Sequence, residues 1–401
     1  MYIELWWLLL IPVVFFALGW VAARIDIRQL LAEARELPRS YFEGLNSLLN
    51  EAPDRAIESF MVVAEKDPKT LDLHFALGTL FRRQGEFSRA IRMHQALLER
   101  PELAASDRER AEFELAQDFH RAGLLDRAET LFLKLEGTRF EHEALGYLLE
   151  IYETEKHWPE AIRVTRRMET VAQTPHFKEI AHYHCEMAEE ALVRGDLELA
   201  QQNVEQAFAE YRACVRAFLI QGDIEMAREV PNKAPDKAPD KALAAWEQIA
   251  SHQIASLGLA AERVVKVCQE TGKTDYALRL LTRWQQEAPS LDIFHALFHL
   301  SLAAEGAQAA AQRARDEIEQ RPSLFSLDHW LQAKLSAVSS PEAQQSLLLI
   351  KNQVAPYLKK MGQYRCARCG FRARQYYWRC PGCQKWETTR ARRNDTPEGF
   401  C

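Results

Sequence analysis

Small residues recur along this chain at one fixed distance. Gly44 and Gly78 lie 34 residues apart, Ala56 and Ala90 also 34, and each alanine follows its glycine by 12. A period of that length has room for one helical hairpin per copy, and a lone hairpin cannot bury its apolar stripe. Stacked copies must therefore share a continuous core. Small residues let two antiparallel helices approach closely, glycine makes the turn between them, and proline stops the second helix. No alternating strand pattern of any length appears before residue 360, so the body is expected to be all-α.

The positions match the tetratricopeptide repeat. A first copy carries Gly44, Ala56, Phe60 and Pro68; a second Gly78, Phe81, Gly85, Ala90 and Pro101; a third Phe119, Gly123, Ala128 and Phe132. Further copies are expected around Tyr152 to Ala161, at Ala188 with Gly195 and Ala200, at Ala242 with Trp246, and at Gly272 with Ala277, with weaker ones after Phe294 and Pro322. The distances between Ala90, Ala128, Ala161 and Ala200 are 38, 33 and 39 residues, so the connecting loops vary. The array is placed at 41–355 and is expected to wind into a superhelix whose concave face holds a peptide or a partner helix. A plain spacer is the blander alternative. Val230 to Lys241 repeats KAPD in tandem, with three prolines in nine residues, and is expected to be a solvated insertion loop (230–241).

The N-terminus belongs to a different solvent. Leu5 to Ala23 is nineteen residues without a charge, close to the roughly 20 needed to cross ~30 Å of hydrocarbon as a helix. Trp6, Trp7 and Trp20 lie toward its ends, and Arg24 and Arg28 follow it, which puts the following chain on the cytoplasmic side. A cleaved signal peptide needs a basic leading region, whereas the early charge here is Glu4. Residues 1–23 are thus expected to be a single-pass transmembrane anchor with Met1 facing outward, and 24–40 a cytosolic linker helix.

At the other end, four of the eight cysteines fall within eighteen residues: Cys366, Cys369, Cys380 and Cys383. Two CxxC turns separated by ten residues aim four thiolates at one centre, the donor set of a tetrahedral ion. Iron and zinc both suit it, and with four protein ligands a structural role outweighs a catalytic one. The intervening FRARQYYW is β-prone and suggests a short hairpin. This ribbon is placed at 362–390, followed by a basic, disordered tail at 391–401. Cys185, Cys214 and Cys268 sit in apolar helical contexts and are expected to be buried hydrophobes, while Cys401 is uninformative. Thiols without an evident disulfide framework indicate a reducing compartment.

Charge is also unevenly distributed. The whole chain carries −6, yet Gly362 to Arg393 holds nine basic residues and one acid, Glu387. Those bases are interleaved with Tyr364, Phe371, Tyr376, Tyr377, Trp378 and Trp386. Such a mixture can bind nucleic acid, but docking onto the acidic helical body or onto anionic headgroups ranks above it. Enzyme signatures are missing: Gly272-Lys273-Thr274 lacks the earlier phosphate-loop glycine, since Val267 stands there, and is expected to be a repeat turn. His182 and His184 are two apart and point to different helix faces, which argues against a shared ion. No HExxH, GxSxG or GxGxxG occurs. No catalytic and no organic cofactor-binding residue is assigned.

Anchor, helical array and four-cysteine ribbon, in that order, resemble the lipopolysaccharide assembly protein B (LapB) family of Gram-negative bacteria. The most specific segments are YFEGLNSLLNE, LGTLFRRQGEFSRAIRMHQ, YRCARCGF and YYWRCPGCQ. The resemblance implies that Cys366, Cys369, Cys380 and Cys383 are ligands of a rubredoxin-like site, although Gln384 stands where such a knuckle carries glycine. It further implies a non-enzymatic adaptor at the inner membrane, N-terminus periplasmic and bulk cytoplasmic, that regulates lipopolysaccharide synthesis by bringing the deacetylase LpxC to the protease FtsH and by associating with other synthesis and assembly proteins. Self-association into a homo-oligomer is compatible with such an array. The rival class is a membrane-tethered redox protein cycling iron.

Overall fold

The computed structural model describes residues 53–66, 71–228, 237–358 and 364–390, with a few isolated positions nearer the N-terminus. The expected span, linker helix and basic tail lie outside the described residues, apart from Phe16 and Trp20. Among the described residues no helix is long and apolar enough to cross a membrane.

The chain divides into two compact units, Met1–Glu155 and Lys156–Cys401. In the first, helices α1 (Pro53–Lys66), α2 (Leu71–Arg83), α3 (Phe87–Leu98), α4 (Ala105–Arg121), α5 (Leu125–Lys134) and α6 (Glu141–Glu155) pack as sequential neighbours. Ala56, Phe60, Leu73, Leu77, Phe81 and Ala90 form one buried layer, so the residues that set the 34-residue period are core residues. Gly78 shows why one of them has no side chain: a Cβ there would lie 2.3 Å from His94 Nε2. His94 itself is buried with its Nδ1 2.5 Å from Asp118, and Arg82 bonds the other Asp118 oxygen at 2.7 Å and Glu114 at 2.6 Å. A buried carboxylate is tolerated here because both of its oxygens are paired.

The second unit continues with α7 (Trp158–Ala172), α8 (Phe177–Val193), α9 (Leu197–Glu210), α10 (Val215–Ala227), α11 (Lys237–Glu247), the short α12 (Ile249–Gln253), a 3₁₀ turn (Ile254–Ala260), α13 (Ala261–Glu270), α14 (Thr274–Glu287), α15 (Leu291–Ala304), α16 (Ala307–Gln320), α17 (Leu324–Ala337) and α18 (Pro341–Leu358). Side chains of Asp196, Ser290 and Ser323 accept the free amides that open α9, α15 and α17. At the turns closing α8 and α13, Gly195 and Gly272 adopt left-handed φ of 80° and 70°. The amides of Asp196 and Lys273 then reach back to Ala191 and Cys268 at 2.9 and 2.8 Å, satisfying the last helical carbonyls. Gly272-Lys273-Thr274 is thus a repeat turn. Cys185, Cys214 and Cys268 are fully buried among apolar neighbours.

Two local expectations differ from what is found. The loop expected at 230–241 ends earlier, because α11 begins at Lys237. Pro239 falls in its first turn, where an amide has no intrahelical acceptor to lose, so the proline is compatible with the helix. Among the described residues, strands occur only in the ribbon: β1 (Tyr364–Arg365) pairs antiparallel with β2 (Arg372–Ala373). These strands flank the first CxxC turn, whereas FRARQYYW does not fold back on itself. Its second half lies against helices instead.

Candidate metal centre and its dock

Two similar turns build the sulfur cluster. In the first, Cys366 N–H donates to Phe371 O at 2.9 Å and Gly370 N–H to Cys366 O at 3.0 Å; in the second, Cys380 N–H donates to Lys385 O at 2.9 Å and Gln384 N–H to Cys380 O at 2.8 Å. The residue after each second cysteine is left-handed, Gly370 at φ 76° and Gln384 at φ 57°. Gln384 holds that unfavourable position with its side-chain amide, which donates to Pro381 O at 3.0 Å. Gly382 is needed for closeness, since a Cβ would stand 3.2 Å from both Cys369 Sγ and Phe371 Cβ.

The four sulfurs all lie within 4.8 Å of one another. Cys366 and Cys383 approach to 3.8 Å, Cys369 and Cys380 to 3.6 Å. A tetrahedral ion with bonds of ~2.3 Å keeps its sulfurs about 3.8 Å apart, so the donors fit one ion with little adjustment. Burial would raise the Cys366 thiol, but the Thr388 hydroxyl and the amides of Cys369 and Arg368 outweigh it and bring it to about 6. Burial pushes Cys380 up to about 12. Cys366 and Cys380 are enclosed, Cys369 exposed and Cys383 half-buried, so one side of the cluster meets solvent.

The other side of the ribbon is docked on the helices of the second unit. Glu387 Oε1 lies 3.1 Å from Nε2 of the fully buried His182, and Glu387 Oε2 lies 3.2 Å from Lys178 Nζ, both on α8. The His182 ring stacks on Trp386 at 4.9 Å and 14°, and Tyr183 meets the same indole edge-on at 5.7 Å. Trp378 packs against the cluster containing Leu219, Trp246 and Leu257. Burial alone would raise the Glu387 carboxyl, yet His182 and Lys178 hold it below the usual range. Tyr376, enclosed beside them, has its phenol pushed up by burial and by Glu387.

Helix α8 is itself held rigidly. Arg216, buried at the start of α10, places Nε and Nη2 on the two oxygens of Glu189 at 2.9 and 2.8 Å, and Nη1 on Glu186 at 2.8 Å. Burial opposes its charge, but those carboxylates more than restore it and raise its pKa. Clefts of about 590 and 560 Å³ flank the dock, the first lined by Lys178, Tyr211, Arg368 and Arg390, the second by Glu262, Arg263, Lys266 and Arg374.

All four predicted cysteines therefore converge. His182 was not distinguished from packing histidines in the sequence; His184 indeed points elsewhere, beside Asn203, and burial lowers its pKa. The hint was a ring inside an apolar run, IAHYHC, with the one acid of the ribbon far downstream.

Comparison with known proteins places this arrangement. Over 382 residues, 95% of this chain and 96% of the relative, it is 31% identical to lipopolysaccharide assembly protein B of Escherichia coli K12. The chain belongs to the lipopolysaccharide assembly protein B family. The Haemophilus influenzae relative of the same name is 26% identical over 95% of this chain and 96% of its own. Residues 364–390 match the family described as rubredoxin metal binding domain, the segment built above around four sulfurs. Among solved structures, a tetratricopeptide repeat protein from Parabacteroides merdae is similar over 78% of this chain and 97% of its own, at 14% identity and a TM-score of 0.24. The helix pairing described above, rather than that superposition, defines the repeat fold here.

Proposed function

We propose that this protein is a non-enzymatic adaptor of lipopolysaccharide synthesis, tethered to the inner membrane by residues 1–23 with its bulk in the cytoplasm. The observation that carries this is the near full-length match to relatives named for lipopolysaccharide assembly. In this reading the helical repeats present partner surfaces, and Cys366, Cys369, Cys380 and Cys383 hold one iron or zinc ion. The ion's contribution is architectural: it fixes the two turns that carry Trp378, Trp386 and Glu387 into the dock. The clefts beside the dock, rimmed by both charge signs, are where protein partners engage. Those partners are the protease FtsH and the deacetylase LpxC, and holding both at one membrane raises their effective concentration for each other. The relatives' names speak of assembly, which gives the electron-carrier alternative no support.

Depletion of the chain in its host tests this directly. The half-life of LpxC should lengthen, and neither a variant lacking residues 1–23 nor one carrying Cys366→Ser with Cys369→Ser should restore it. An unchanged half-life on depletion would remove the regulatory reading.

A further inference from the structure

Three histidines of the second unit converge away from the sulfur cluster. His295 and His299, one turn apart, share a face of α15, and His329 comes from α17. Their ring nitrogens offer three ligand atoms that all lie within 4.8 Å of one another. His295 Nδ1 is 2.9 Å from His329 Nε2, and the His295 and His299 ring centroids are 4.4 Å apart. We propose that His295, His299 and His329 form a second metal site, which takes a borderline divalent transition ion of the zinc, nickel or copper kind through three imidazole nitrogens.

The geometry carries this in three ways. First, an ion with metal–nitrogen bonds of ~2.0–2.1 Å separates its ligands by about 3.4 Å in a tetrahedron, which small side-chain rotations reach from the observed spacing. Second, His329 is already oriented as a ligand. Its Nδ1 lies 2.7 Å from Phe325 O and donates to it, which fixes the tautomer and leaves the Nε2 lone pair facing the other two rings. Third, the site is graded from closed to open: His329 is buried against Phe294 and Phe298, His299 half-buried, and His295 exposed. Three protein nitrogens with one open side leave a fourth position for water or for a group from a docked partner. An all-nitrogen set excludes magnesium and calcium as preferred ions.

Two features oppose binding and set its strength. The His295–His329 hydrogen bond must be given up, with the His295 proton moving to Nε2 so that Nδ1 can ligate; no proton leaves the protein. Burial depresses the pKa of His299 and His329, and Lys351, on α18 and 3.9 Å from Asp328, adds a positive charge that lowers both further. The ammonium repels an incoming cation while Asp328 partly offsets it. Both features weaken the site relative to the four thiolates.

The test uses the full chain with its four cysteines already filled by one equivalent of zinc, titrated calorimetrically with further zinc. One additional equivalent should bind at ~10 µM or tighter. His295→Ala, at an exposed position where folding is unaffected, should weaken that step more than ~10-fold, and Lys351→Gln should strengthen it. The His329 Nε2 nitrogen resonance should shift on zinc addition in the parent. The proposal is overturned if no second equivalent binds at ~10 µM, if His295→Ala binds like the parent, or if the His329 resonance does not respond.

Discussion

The helical body and the ribbon are ordered by different physics. Within each unit of the body, helices bury apolar side chains against their neighbours, as in the layer of Leu73, Leu77, Phe81 and Ala90. Removing one contact leaves many. Across 364–390, by contrast, the buried side chains are Tyr364, Cys366, Cys380 and Trp386, and the strands are two residues long. Too little apolar surface is enclosed to order such a segment unaided. The ribbon therefore needs support from beyond its own apolar core: α8 braces one flank, and the four converging sulfurs, a donor set that fits one ion, lie on the other.

That contrast can be broken at graded points. The largest effect is expected from the sulfurs: with Cys366→Ser and Cys369→Ser, or after strong chelation, a folding contribution on the order of 10 kcal/mol is lost. Hydrogen exchange should then show Cys366 to Thr389 unprotected while the helices keep their protection; a ribbon that stays protected would mean that packing alone orders it. Next comes Trp386→Ala. Truncating this indole should destabilise the docked state by about 3–5 kcal/mol, loosening α8 amides around His182 while the bound metal content is unchanged. Glu387→Gln should cost about 1–3 kcal/mol. Because the folded carboxyl is held below the ordinary 4.5, its stabilisation is full above that value and is lost as pH falls through the lower folded value. Denaturant midpoints of parent and variant should therefore converge as the solution is acidified from neutral to below about 4.5. A constant difference across that window would exclude the ion pair.

Much of the helical body is visible in local sequence because its determinants are local. Gly78, Ala90 and Gly272 announce close approach or a turn within a few residues of where each acts. The sulfur cluster is legible for the same reason, since CxxC spacing brings two donors together within one turn. The dock is not. His182 and Glu387 are 205 residues apart, and nothing near either one marks the other. The histidine trio is half legible: His295 and His299 stand at helical spacing, but His329 joins them only after α15 and α17 are laid side by side. Pro239 misleads because prolines interrupt a helix except at its start, and Gln384 because its own amide replaces the conformational freedom of a glycine.

Glu387 is the one carboxylate between Tyr364 and Arg390, and it is turned inward to His182 and Lys178. Arg365, Arg368, Arg372, Arg374, Lys385 and Arg390 remain exposed. Docking thus sorts the ribbon's own charges by direction: its one carboxylate faces the helices, and its exposed charged side chains are basic. Exposed charges of one sign act over a range set by ionic strength, and in general they alter how fast a partner arrives more than how long it stays.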